Sequence, residues 1–192
     1  MKTLVALGLL CGVAFAGPPM VCHPLEIGKE VSLPWAASGQ NWDGRDARYD
    51  SARLVTDTLA LLKADTPVII RMETLRRAAI YAEAPAVAVE LSDRLVARTK
   101  AAGADPLAAF DAGYFHEVTH QLAPIRKSDP LAGREGYALA KQSLGRTKES
   151  AAVEYGLSLM MPRFPNDHFA KAKQGAMEGS LLATNVRKLE SR

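Results

Sequence analysis

The chain has 192 residues, of which 48% are apolar and 23% are charged. This composition is typical of a globular protein and excludes an intrinsically disordered chain. The formal net charge of +3 at pH 7 is too balanced to indicate a nucleic-acid or membrane-surface partner. The length is sufficient for one domain with a substantial core, or for one short array of repeats.

Residues 1–16 are predicted to form a secretory signal peptide. Lys2 supplies the positive charge, an apolar run follows, and residues 14–16 (AFA) have the small-x-small pattern of a cleavage site. The mature chain then begins at Gly17, and no later apolar run is long enough for a membrane-spanning helix. We therefore expect a soluble exported protein, periplasmic or extracellular, that does not insert into a membrane after cleavage.

Residues 17–45 are predicted to form an extended arm that lies across the rest of the protein. Four prolines and several glycines in this range interrupt any long helix. Trp35 and Trp42 are interpreted as packing contacts, with a ligand groove between them as the alternative. Cys22 is the only cysteine after the predicted leader, so no internal disulfide framework is expected. A buried thiol is favoured over an intermolecular disulfide or a metal ligand beside His23.

Residues 46–192 are predicted to form a single helical domain. Apolar side chains recur at the spacing of an α-helix in seven segments, which are 46–63, 67–83, 85–102, 105–122, 134–146, 149–161 and 166–189. Thr66 is the predicted N-cap of the second segment, with Pro67 at its first helical position. The fold class is therefore all-α, with antiparallel helical hairpins stacked as a small right-handed array or an irregular bundle.

The segments 67–83 and 105–122 are predicted to lie at the centre of this domain. The first is apolar around most of its circumference. The second has a bulky apolar stripe on one side, and small residues with two histidines on the other. Small residues either leave a face in water or let another helix come close. Asp111 falls within the bulky stripe and needs a buried partner, for which Arg71 or Arg76 is predicted.

The segment 105–122 also contains one recognisable chemical motif, His116-Glu117-Val118-Thr119-His120. Two imidazoles one helical turn apart suit two of the four positions around a zinc ion. The string resembles the active-site helix of zincin metallopeptidases. This resemblance implies a zinc-dependent hydrolase in which His116 and His120 bind the metal and Glu117 is the general base. The third ligand would be Glu154, with Glu149 as the alternative.

The chain departs from zincins outside this string. Metzincins have a further glycine and histidine after the motif, and here Ala123 and Arg126 occupy those positions. Zincin catalytic helices also usually lie beneath a sheet, and no convincing strand precedes residue 105. The favoured interpretation is therefore an ordinary surface or interhelix pair of histidines, with no cofactor, whose replacement by alanine should barely change stability.

Three stretches, at residues 22–28 (CHPLEIG), 68–82 (VIIRMETLRRAAIYA) and 110–115 (FDAGYF), are similar to uncharacterised exported bacterial proteins of helical-hairpin type. The spacing of the central helices also approximates a tetratricopeptide-like period. The resemblance implies a fold and an exported location but no activity. We therefore expect a non-enzymatic helical scaffold that binds a protein or peptide partner. The alternative is the zinc hydrolase.

Overall fold

A computed structural model describes residues 18–36, 42–101, 103 and 105–191. The predicted signal peptide at residues 1–16 and residues 37–41 of the predicted arm lie outside the described residues. Within them the chain forms α-helices and no β-strand, and an isolated bridge joins Trp35 to Arg45. The predicted all-α fold class is confirmed.

The helices follow the apolar periodicity of the sequence. In chain order they are α1 (Pro19–Cys22), α2 (Leu54–Leu61), α3 (Val68–Tyr81), α4 (Pro85–Thr99), α5 (Ala108–Arg126), α6 (Gly136–Lys141), α7 (Ser150–Met160), α8 (Asp167–Gln174) and α9 (Leu181–Glu190), with a 3-10 turn at Ser51–Arg53 before α2. Helix α5 lies at the centre, where it packs against α3, α4 and α6 and also contacts α1 and α7.

Both sides of α5 are buried. The bulky stripe is at most 1% exposed at Phe110, Tyr114 and Phe115. The opposite side is covered by α6, because a Cβ at Gly113 would overlap the carbonyl oxygen of Gly136. The small residues therefore let a second helix come close, which is one of the two outcomes predicted for them.

Helix α3 is the second central element, and of its residues only Arg77 is not buried. The predicted pairing of Asp111 is confirmed, since Arg71 Nη1 donates to Asp111 Oδ2 over 2.6 Å. Arg98 Nη1 of α4 approaches the same oxygen at 3.2 Å. Arg71 also donates to Asp105 Oδ2 over 2.6 Å. These ion pairs connect α3, α4 and α5 inside the protein.

Residues 18–36 pack along α3. Arg76 of α3 donates to the Val21 carbonyl over 3.0 Å, and the Trp35 ring lies 4.9 Å from the Arg76 guanidinium carbon. The same ring meets Tyr81 edge-on, with 5.9 Å between the ring centroids. Trp35 is thus one of the contacts that hold this part of the chain on α3.

Several predicted boundaries were wrong. Helix α5 continues past residue 122 to Arg126, and Pro124 lies in its last turn, close to the point where the helix ends. The predicted helix 166–189 is two helices, separated by a turn in which Gly179 has a φ of 76°. Helix α3 begins one residue later than predicted, with Pro67 instead of Thr66 as its N-cap.

Candidate functional site

The first histidine of the motif on α5 is buried. His116 is 3% exposed, and its Nε2 lies 2.7 Å from Ser92 Oγ of α4. Arg134 Nη1 donates to the same Ser92 oxygen over 2.5 Å. Burial, with the nearby Arg134 guanidinium and His120, lowers the pKa of His116 to about 4. The ring is therefore neutral at pH 7.

The second histidine of the motif lies between two acceptors. His120 Nδ1 is 2.8 Å from Asp129 Oδ2, and His120 Nε2 is 2.9 Å from the Arg134 carbonyl oxygen. Burial alone lowers the pKa of His120, but the hydrogen bonds to Arg134 and Asp129 outweigh it and raise the pKa above its ordinary value. Because a carbonyl and a carboxylate only accept, both bonds form together when the imidazole carries two protons.

Glu117 bonds the start of the next helix. Its Oε1 accepts from the backbone N–H of Tyr137 over 2.9 Å, in the first turn of α6. A Cβ at Gly136 would lie 2.5 Å from the same oxygen, so glycine permits this close approach. We call the contacts of His116, Glu117 and His120 with Ser92, Asp129, Arg134 and Tyr137 the α5–α6 link.

The α5–α6 link uses the atoms that a zinc ion would need. An ion bound at His120 Nε2 would replace the hydrogen bond to the Arg134 carbonyl. The Arg134 guanidinium at Ser92 would also place a positive charge near His116. Across residues 18–36, 42–101, 103 and 105–191, no group of three or more His, Cys, Asp or Glu residues is arranged to hold a metal ion. The zinc assignment stays a prediction.

The two candidate third ligands have other partners. Glu149 Oε2 accepts from the backbone N–H of Val68 over 3.0 Å and so caps the start of α3. Glu154 Oε2 accepts from His168 Nδ1 of α8. Neither carboxylate is part of the α5–α6 link.

A second group of polar side chains was missed in the sequence. His168 Nε2 lies 2.8 Å from the Tyr137 hydroxyl, so Tyr137, His168 and Glu154 form a hydrogen-bonded chain. The three residues belong to α6, α8 and α7, and packing alone brings them together. No spacing in the sequence indicates this group.

A groove opens where helices α3, α7 and α9 begin. Its volume is about 260 Å³, and its apolar lining consists of Pro67, Ile69, Ala152, Met177, Leu181 and Leu182. Ile69 and Leu182 are buried, whereas Met177 is 76% exposed. Lys148 and Glu149 lie beside these apolar side chains. The groove therefore combines an apolar floor with an accessible apolar side chain and charged groups nearby.

The sequence matches no known family model, and neither curated proteins nor solved structures show a significant similarity to it. Among the described helices, none has both the length and the apolar character needed to cross a bilayer. The geometry of the described residues is therefore the basis for interpreting the groove, the α5–α6 link and the hydrogen-bonded chain of Tyr137, His168 and Glu154.

Proposed function

We propose that this chain is an exported, soluble helical scaffold that is not an enzyme and that binds a protein or peptide partner in the groove at Met177. The proposal rests on the accessible apolar groove, whose lining includes Met177 with 76% of its surface exposed. Export rests on the leader-like residues 1–16, and a mature amino terminus at Gly17 would support it.

The volume of the groove is compatible with a side chain of a partner. At about 260 Å³ it lies near the lower end of the roughly 300–1,000 Å³ found for drug-sized ligands. One or two apolar side chains of a peptide fill such a volume, with the rest of the peptide on the surrounding surface. We therefore propose an amphipathic segment with a large apolar anchor residue as the occupant.

The test is selection from a peptide library on the mature chain. Enriched peptides are synthesised and their Kd is measured against the wild type, Met177→Asp and Val31→Asp. Val31 is 70% exposed and is a matched control, because it does not line the groove. We expect Met177→Asp to weaken binding at least about tenfold and Val31→Asp to leave it unchanged. An unproductive selection, or peptides that bind both variants equally, would contradict the proposal.

A zinc-dependent hydrolase stays the alternative function. Two features favour it: His116 and His120 lie one turn apart on α5, and the buried Nδ1 of His116 has no hydrogen-bond partner among the described residues. In this alternative Glu117 is the general base, and Glu154 or Glu149 must approach the two histidines.

A further inference from the structure

Three side chains at the junction of α6, α7 and α8 form a directed hydrogen-bonded chain. The Tyr137 hydroxyl is 2.8 Å from His168 Nε2, and His168 Nδ1 contacts Glu154 Oε2. The Tyr137 and His168 rings meet edge-on, with 5.8 Å between their centroids. The imidazole therefore lies between a phenol and a carboxylate.

The partners determine where the protons lie. A carboxylate accepts hydrogen bonds, so His168 Nδ1 carries the proton of the neutral ring. His168 Nε2 is then an acceptor, and the Tyr137 hydroxyl donates to it. The phenolic proton is thus already directed at a base that is oriented by a third group, which is the arrangement that activates hydroxyl nucleophiles.

The three side chains are held by the fold. The backbone N–H of Tyr137 donates to Glu117 over 2.9 Å. The Asn166 side chain accepts from Phe169 N over 3.1 Å and so caps the first turn of α8, where His168 lies. The side chains of His168 and Glu154 are 14% and 12% exposed. The His168 imidazole is thus mostly but not completely buried. Tyr137 is partly exposed, and its hydroxyl is already oriented before a reagent binds.

We propose that Tyr137 is an acyl-accepting nucleophile for activated carboxylic esters. Its hydroxyl oxygen attacks the ester carbonyl carbon while His168 Nε2 takes the phenolic proton. The bond from the carbonyl carbon to the leaving oxygen then breaks, and His168 returns the proton to that oxygen. The products are the free hydroxyl compound of the leaving group, which is a phenol for an activated aryl ester, and an ester of Tyr137, and no redox partner is needed.

The other members of the group have defined roles in this step. Glu154 is a positioning residue that orients the imidazole and stabilises its positive charge while His168 holds the second proton. Lys141 Nζ lies over the Tyr137 ring, 5.8 Å from its centroid. The proposal is independent of the groove at Met177.

The experiment treats the full mature chain with 4-nitrophenyl acetate and follows acetylation of each tyrosine by peptide mass spectrometry. Tyr49 is the internal control, since its hydroxyl donates to Asp57 Oδ2 over 3.0 Å and has no imidazole beside it. We expect Tyr137 to be acetylated at least about 100-fold faster than Tyr49, and His168→Ala to remove this advantage.

Two further measurements separate chemistry from a loss of packing. Free imidazole should restore the faster acetylation of Tyr137 relative to Tyr49 in His168→Ala. Glu154→Gln should slow acetylation of Tyr137 in a chain with an unchanged circular dichroism spectrum. Equal rates at Tyr137 and Tyr49 in the wild type would overturn the proposal. So would a His168→Ala variant that folds and reacts at the wild-type rate.

Discussion

His120 Nδ1 and Asp129 Oδ2 lie 2.8 Å apart, and this bond ties the segment after α5 back onto the helix. The other ring nitrogen bonds the Arg134 carbonyl, so one imidazole holds the segment at two points five residues apart. Both bonds require the doubly protonated ring. His120 therefore has a structural role that is independent of metal.

His120→Asn is expected to loosen the segment between α5 and α6. Hydrogen bonds to charged groups contribute about 1.5–3 kcal/mol when buried, but this pair is 23% and 28% exposed and is partly screened. We expect the free energy of unfolding to fall by about 1 kcal/mol in urea titrations. Limited proteolysis should cut between residues 127 and 135 faster than in the wild type. Unchanged stability and unchanged proteolysis would show that the two bonds do not hold the segment.

His116 predicts a pH dependence of stability. Its pKa is about 4 in the folded chain and about 6.5 in an unfolded chain. As the pH falls from 6.5 towards 4, the unfolded chain takes up a proton that the folded chain does not, so stability is lost, by up to about 3 kcal/mol. The check is the free energy of unfolding of the wild type and His116→Asn from pH 7 to 4. Parallel curves for the two chains would contradict the prediction.

His120 contributes to the pH dependence with the opposite sign. Its pKa is raised in the folded chain, so its contribution is fully present below the unfolded pKa and is lost as the pH rises through the folded pKa. His120→Asn is therefore expected to make the free energy of unfolding depend less on pH above the ordinary pKa of histidine. His116→Asn should reduce the dependence below it.

Asp111 is expected to be costly to replace, because its buried carboxyl group pairs with the buried guanidinium of Arg71. Asp111→Ala removes one of the two carboxylates that pair with the fully buried guanidinium of Arg71, while Asp105 remains, and the loss of a hydrogen bond to a charged group costs about 1.5–3 kcal/mol. The control is Asp93→Ala, which removes a 2.8 Å ion pair to Arg134 whose acidic side chain is 62% exposed. It should cost less than about 1 kcal/mol. Chemical denaturation measures both, and similar losses would argue against a structural role for the buried pair.

Variants at Glu117 distinguish a role of this residue in capping α6 from a role as a catalytic base. Glu117→Gln keeps an oxygen that accepts from Tyr137 N, whereas Glu117→Ala removes it and should cost about 1 kcal/mol of stability. The zinc hydrolase predicts instead that Glu117→Gln keeps a bound metal and loses peptidase activity. Thermal unfolding and a peptide-hydrolysis assay on the two variants separate these roles.

The central helices could be predicted from the sequence because their signals are local. Apolar periodicity located α3 and α5, and the carboxylate of Asp111 in an apolar stripe required a cationic partner, found at Arg71. The break between α8 and α9 was missed although its signals were present. Gly179 has a positive φ, and Ser180 Oγ accepts from Ala183 N as the N-cap of α9.

The surroundings of the motif could not be predicted in the same way. The partners of His116 and His120 come from α4 and from the segment after α5, and helical periodicity does not indicate which segment folds over a given face. Only the close approach of Gly113 to Gly136 was signalled, by the small residues on that side of α5. The chain of Tyr137, His168 and Glu154 likewise depends on the packing of three helices.

We propose that the motif on α5 holds the α5–α6 link together and binds no metal ion. The most direct test is the zinc content of the mature chain, purified without chelator, incubated with zinc and dialysed, beside the His120→Asn variant. We expect far less than one zinc per chain in both proteins. One tightly bound zinc per wild-type chain that is lost in the variant would contradict it.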